Sequence, residues 1–445
     1  MYIGIKRWNK NDWFSLVIIV LFLALHLIIS GYPIITWDSI RYIGASFFLI
    51  PFPFALMLVS YLLKPLTMLF GMWGFPLFQI AIVAYVLVSV LKFFNKSFII
   101  GIVSLAISIA GYFVISVMMD IYTAVGLLAL FLVLNGNKDI LLYFILSICF
   151  IAHPENLLLF PFSALIYWLI FKRNHPGIPF RTVVVLSIVL LTGVLIMNYR
   201  ERKEFRSFPE TKYLSLATRI MADSPVITRA YIEKCPDSEL CKHKEYYEYA
   251  INNKDPYHIL FWSNWDEGGG FIYNPAINGI HKEAGKFILF ALSNYKLEIL
   301  KNCLNNTCRF LSFPGDPLVL LVSKDQFDMF EKWLPAQLFE GAKDSLQYKG
   351  KLANIEFRLI YAMCYYLCFF SLLLFVYIPF FNRRIMNTNY YSFAVFSIII
   401  ILINACIMPN FVGIYLRYQL RIMLVPCLAI SLIVADLFKA RKEVK

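Results

Sequence analysis

The stretch WFSLVIIVLFLALHLIIS, residues 13–30, holds no charged side chain, and windows like it recur along the chain. A run of roughly 18 or more apolar residues is long enough to cross a hydrocarbon core about 30 Å thick. Inside lipid every backbone amide must find its partner within the protein, and these runs read as helices, which meet that demand within one segment. Of the 445 residues 60% are hydrophobic and only 16% charged, far from the usual soluble mixture. An all-α polytopic membrane protein is therefore expected. Residues 13–30 follow Lys6, Arg7 and Lys10 much as a signal peptide would. The apolar stretch is longer than a signal core and lacks a small-x-small cleavage site, so it is expected to be retained.

A net charge of +13 raises the question of nucleic acid. Between residues 200 and 355, however, there are 21 Lys+Arg and 20 Asp+Glu, so the excess belongs to the apolar remainder. There it falls in short connections: Lys92/Lys96, Lys172/Arg173/Arg181, Arg383/Arg384 and Lys439/Arg441/Lys442/Lys445. Basic residues beside span ends resist translocation and mark cytoplasmic loops. That placement removes the support for nucleic acid.

With basic loops inside, the spans are expected at 13–30, 75–93, 98–118, 121–135, 139–152, 155–171 and 182–198, then at 357–380, 391–408 and 421–438. About ten spans result, and both termini are cytoplasmic. Residues 45–72 are apolar but divided by Pro51, Pro53, Lys64, Pro65 and Gly71. A full span there would turn every later basic loop outward, so the segment is read as one or two helices lying along the outer leaflet. The membrane modules are 1–198 and 356–445, separated by a hydrophilic, α-rich exterior domain at 199–355.

The cysteines of that domain come in two close pairs, Cys235/Cys241 and Cys303/Cys308. Disulfides in an oxidising space such as a periplasm are one reading, with zinc or free thiols as alternatives.

Outside the domain only eight acids occur, and Asp38, Asp120 and Glu155 fall at three exterior turns. Ionisable groups held close to lipid are costly and tend to mark a polar cavity. His153 sits beside Glu155, and Arg41, Arg358, Arg417 and Arg421 are expected on the same side. Carboxylates with a histidine suit deprotonation of an acceptor hydroxyl, and the planar guanidinium fork suits a phosphate. Plainer roles stand beside these. Asp38 and Asp120 could cap helices, His153 and Glu155 could shape the turn at Pro154, and Arg417 and Arg421 could anchor at the interface with Tyr415 and Tyr418. No phosphate loop, dinucleotide fingerprint, zinc-protease helix or nucleophile elbow is present.

The pattern D-S-x-x-Y-x-x-A at Asp38, Tyr42 and Ala45, followed by PFP, YLLKPL and LFG, resembles the first exterior loop of GT-C type membrane glycosyltransferases. That superfamily includes protein O-mannosyltransferases and the aminoarabinose transferase of lipid A. The order MMDIYT, AHPENL, CP…C, SFPGD and RYQLR is similar to a group of uncharacterised bacterial multispan proteins over nearly the whole chain. The resemblance implies a bacterial inner-membrane enzyme that moves a sugar from a polyprenyl phosphate to an envelope glycan or lipid-linked acceptor. It also implies Asp38 as general base and Asp120 as a second acid at the active site. His153 and Glu155 are then expected to orient the acceptor or a divalent metal, and the four arginines to hold phosphate. The exterior domain departs from the pattern, since many of these enzymes carry theirs at the C-terminus. An O-antigen polymerase or ligase is the nearest alternative, and a lipid or glycan transporter is a third.

Overall fold

A computed structural model describes residues 8–36, 39–48, 57–108, 110–153, 155–171, 184, 188, 208–253, 256–262, 279–312, 324, 327–328, 336–352, 357–377, 389–411 and 416–443. Among these residues there is no strand; one isolated parallel bridge joins Ile34 to Ser116. The chain forms two units, Met1–Leu195 with Pro317–Ile403 and Leu416–Lys445, and Ile196–Asp316 with Asn404–Tyr415. The exterior domain expected over 199–355 therefore ends earlier, because the stretch after Pro317 belongs with the first unit. Its bonds explain why: the Leu346 amide donates to the Ser30 carbonyl, and the Gln347 side chain both donates to and accepts from the Ile35 backbone.

In the first unit, α1 (Lys10–Ser30) opens with a capping box between Asn9 and Asp12 and closes at Gly31, whose φ of 75° suits glycine. There follow α2 (Ser39–Phe48), α3 (Met57–Phe70), α4 (Gly74–Phe93), α5 (Phe98–Ser108), α6 (Ala110–Val114), α7 (Ile121–Leu134), α8 (Ile140–Ala152) and α9 (Asn156–Phe171). Among the described residues, three apolar stretches are long enough to cross a membrane: Lys10–Ser30, Leu63–Phe93 and Asn389–Phe411. Shorter apolar helices include α5, α7, α8 and α9. Exposure separates two kinds of apolar helix. Every residue of α7 is buried, whereas α1 leaves Phe14, Val17, Leu21, Leu25 and Ile28 uncovered. A helix that is apolar all round is a core element or faces lipid, so α7 is the inner member and α1 the lipid-facing one.

Two expectations change here. The segment 45–72 holds the end of α2 and all of α3, within the one or two helices expected, but the end of α3 runs into the apolar stretch Leu63–Phe93 instead of remaining separate from it. The turn between α3 and α4 closes on Gly74, where a Cβ would meet the Leu66 carbonyl oxygen at 2.7 Å. The single span expected at 98–118 is shorter, since the helix gives way to extended chain after Val114. There the Ile34 amide donates to Ile115 O and the Val117 amide to Ile34 O, so the broken helix keeps its backbone partners. Of the span expected at 182–198 only residues 184 and 188 are described, both helical.

The second unit contains α10 (Phe208–Asp223), α11 (Pro225–Lys234), α12 (Glu239–Lys242), α13 (Lys244–Ile251), α14 (Pro256–Trp262), α15 (Gly279–Asn294) and α16 (Lys296–Ser312). In it α10 packs against α11, α14 and α15. Three helices complete the first unit: α17 (Phe357–Tyr377), α19 (Leu416–Leu420) and α20 (Leu424–Glu443). Between α17 and α19 comes α18 (Asn389–Phe411), whose last turns from Asn404 belong to the second unit.

Candidate functional site

The site begins with Asp120, immediately before α7. Its backbone is already helical, with φ −62° and ψ −34°, and its side chain makes no capping hydrogen bond. The capping role that could have explained it is therefore absent. The side chain is 2% exposed, and among the described residues Oδ1 accepts no hydrogen bond. Burying an unsatisfied carboxylate is expensive, so the neighbouring groups must account for it. His153 Nε2 lies 3.7 Å from Oδ1.

His153 ends α8 in an extended conformation, and its Nδ1 bonds the carboxylate of Glu155 just ahead of α9. Arg421 Nη1 lies 3.2 Å from Nδ1 and 3.4 Å from Nε2 of the same ring. Near-equal distances to both nitrogens put this nitrogen over the imidazole face. Arg421 is also 3.9 Å from Glu155, and its guanidinium is 5.4 Å from the Tyr418 ring. An arginine cannot discharge, so burial at 0% side-chain exposure requires anionic company. Glu155 and, across the imidazole, Asp120 supply it.

Close packing holds these parts in register. A Cβ on Gly126 in α7 would come within 2.6 Å of Cys149 Cβ in α8 and would also strike the Phe160 ring in α9. Glycine thus lets three helices meet just beyond Asp120, His153 and Glu155. Thr123 Oγ1 donates to Asn156 Oδ1, and Asn156 Nδ2 donates to Cys149 O, tying the first turn of α7 to the turn that carries His153. Arg421 arrives from the turn between α19 and α20, and Gln419 braces that segment by donating to Tyr365 Oη of α17.

Four of the expected residues thus come together: Asp120, His153, Glu155 and Arg421. Asp38 lies outside the described residues, although its flanks are placed. Ser39 Oγ donates to Val117 O at 2.7 Å and receives the Thr36 amide, so both sides of Asp38 are pinned to the segment leading into Asp120. Arg41, Arg358 and Arg417 fall in α2, α17 and α19, but their side chains lie outside the described set. Gln79 and Gln347, which pin Ser116 and Ile35, were not legible as part of this arrangement. A lone glutamine carries no motif.

The disulfide expectation is corrected. Cys235, Cys241, Cys303 and Cys308 are all free thiols. Cys303 and Cys308 lie five residues apart on the single helix α16, a rise of about 7.5 Å, too far for a bridge. Two thiols that do meet are Cys368 of α17 and Cys427 of α20, with sulfurs 3.5 Å apart. Among the described residues no set of three His, Cys, Asp or Glu side chains is arranged to hold a metal ion. Beside His153 and Glu155 the cation is the Arg421 guanidinium.

The arrangement can take a proton on a buried carboxylate or imidazole next to a fixed positive charge. No family model, curated protein or solved structure matches this chain.

Proposed function

We propose that the chain is a membrane glycosyltransferase of GT-C type, with about ten spans and both termini in the cytoplasm of a bacterial inner membrane. It moves a sugar from a polyprenyl phosphate to an envelope glycan or lipid-linked acceptor on the opposite side. One observation carries this reading: Asp120, His153, Glu155 and Arg421, from distant parts of the chain, meet in a nearly waterless cluster. In the reaction the acceptor oxygen attacks the anomeric carbon and its proton passes to a carboxylate. The bond from carbon to phosphate oxygen breaks, and the lipid phosphate leaves with the electron pair. Attack opposite the leaving group inverts the anomeric centre. Asp120, His153 and Glu155 orient the acceptor hydroxyl, and Arg421 stabilises the phosphate charge as it develops. Asp38, whose flanks are pinned to the segment before Asp120, is the second carboxylate and the general base expected from the sequence.

The test uses full-length protein in lipid vesicles with a radiolabelled polyprenyl-phosphate sugar. Asp38→Asn and Asp120→Asn are each expected to lower transfer by about 10²-fold or more while the protein still elutes as a folded species. Full transfer by both variants would overturn the assignment. A proton-coupled carrier is the second reading, favoured by the burial of an Asp–His–Glu relay beside a fixed cation. It is the reading adopted if the wild type moves substrate across the vesicle without forming a new bond.

A further inference from the structure

Helix α16 turns most of its leucines outward. Its inward face holds the fully buried Phe310 beside a polar network. Asn306 is 9% exposed and donates to Asp223 Oδ2 at 2.6 Å, and Arg219 Nη2 donates to Asn306 Oδ1. From the same helix, Asn302 donates to the Asp223 carbonyl oxygen. The outward face is apolar: Leu297 is 82% exposed, and Leu300 and Leu304 are each 56% exposed. At helical spacing these leucines and the exposed Cys308 fall in a stripe roughly 80° wide. Leu289 and Leu292 on α15 are exposed too. A helix facing water would keep the opposite arrangement, so the stripe is made for an apolar medium.

Two observations identify that medium. The first is the neighbour of the polar face. Asn410, in the last turn of α18, accepts from Asn306 Nδ2 at 3.3 Å through its Oδ1, and its Nδ2 donates to Thr307 Oγ1 and to the Cys303 carbonyl. Helix α18 is one of the three described stretches long enough and apolar enough to cross a membrane, so α16 is bonded to one end of such a stretch. The second is charge. Lys296 and Lys301 are exposed and flank the stripe on either side, while Glu298 lies further round the helix. Lysines beside an apolar stripe match an anionic lipid surface.

We propose that α16 lies in the bilayer interface, its leucine stripe among the acyl chains and Lys296 and Lys301 at anionic headgroups. At 17 residues it would cover about 25 Å of membrane surface. This inference is independent of the reaction assigned above, because none of its residues belongs to that site.

The test uses full-length protein in vesicles of phosphatidylethanolamine and phosphatidylglycerol, with the exposed thiols removed as Cys308→Ser and Cys406→Ser. A fluorescent probe is attached at Leu304→Cys or, beside the stripe, at Asn305→Cys. Both positions are exposed, so neither disturbs buried packing. Nitroxide-labelled lipid should quench the probe at 304 about threefold more than at 305, and aqueous iodide should show the reverse order. Adding Lys296→Glu and Lys301→Glu should lower lipid quenching at 304 at least about twofold. Equal iodide quenching at the two positions would overturn the proposal. So would a probe at 304 shielded from both quenchers with crosslinks between two copies of the chain, which would make the stripe a dimer contact. Unchanged lipid quenching in the double lysine variant would overturn the anionic-headgroup assignment.

Discussion

Arg421 shows how one charge sets the terms for three others. Removing one partner of a buried ion pair leaves the remaining charge without compensation, which costs about 3–5 kcal/mol. Arg421→Met is therefore expected to lower the thermal stability of the detergent-solubilised protein by a large part of that range. Arg421→Met combined with Glu155→Gln should recover much of the loss, because the double variant no longer buries that unpaired carboxylate. Additive losses in the two single variants would show that the groups do not interact. This cluster was partly legible in the sequence. Asp120, His153, Glu155 and Arg421 could be placed on one side by counting spans and basic loops. Their contact could not, since His153 and Arg421 lie 268 residues apart. Asp139, by contrast, has a plain structural role: it caps α8 by accepting from the Leu141 amide.

At the level of helices, Gly126 is the position where packing leaves least freedom. Gly126→Ala would force α7 away from α8 and α9, and overpacking of this kind costs about 1–3 kcal/mol. The expected outcome is a lower melting temperature with weaker function as well, because the same contact sets the spacing of Asp120 and His153. Gly136→Ala makes a useful comparison, since no atom lies within 4 Å of the added Cβ, although its φ of 85° brings backbone strain. Apolar runs gave away α1, α4, α5, α7, α8, α9, α17, α18 and α20, but not where they stop. The break after Val114 is invisible to hydropathy, because ISVMM is as apolar as the helix before it. Distant partners make an extended course acceptable there: the backbone of Ile34, with Gln79 on Ser116 O and Ser39 on Val117 O. The expected cysteine bridges failed for the converse reason. Spacing in the sequence was short, yet a helix between Cys303 and Cys308 holds the sulfurs apart.

For the molecule as a whole, the second unit should respond to pH at both extremes. Arg229 grips Glu248 with two hydrogen bonds of 3.0 and 2.8 Å and holds its carboxyl below the usual range. The folded value is lower than the unfolded one, so the stabilisation is complete above the ordinary carboxylate range and is lost as the pH falls through it. Burial pushes the Tyr247 hydroxyl up to about 12 and raises the Cys303 thiol. Those contributions are complete below the ordinary values and disappear as pH rises past them. Thermal unfolding followed by near-ultraviolet circular dichroism should therefore weaken on both flanks of neutrality. Arg229→Gln should flatten the acid flank alone. An acid flank unchanged in that variant would remove Glu248 as its source.

The 268 residues between His153 and Arg421 also matter during synthesis. A ribosome delivers the two acids and the histidine to the bilayer long before it makes the guanidinium that neutralises them. Until the final hairpin inserts, the half-made protein carries an electrostatic debt in its middle, and a chain cut short before Arg421 keeps that debt for its lifetime.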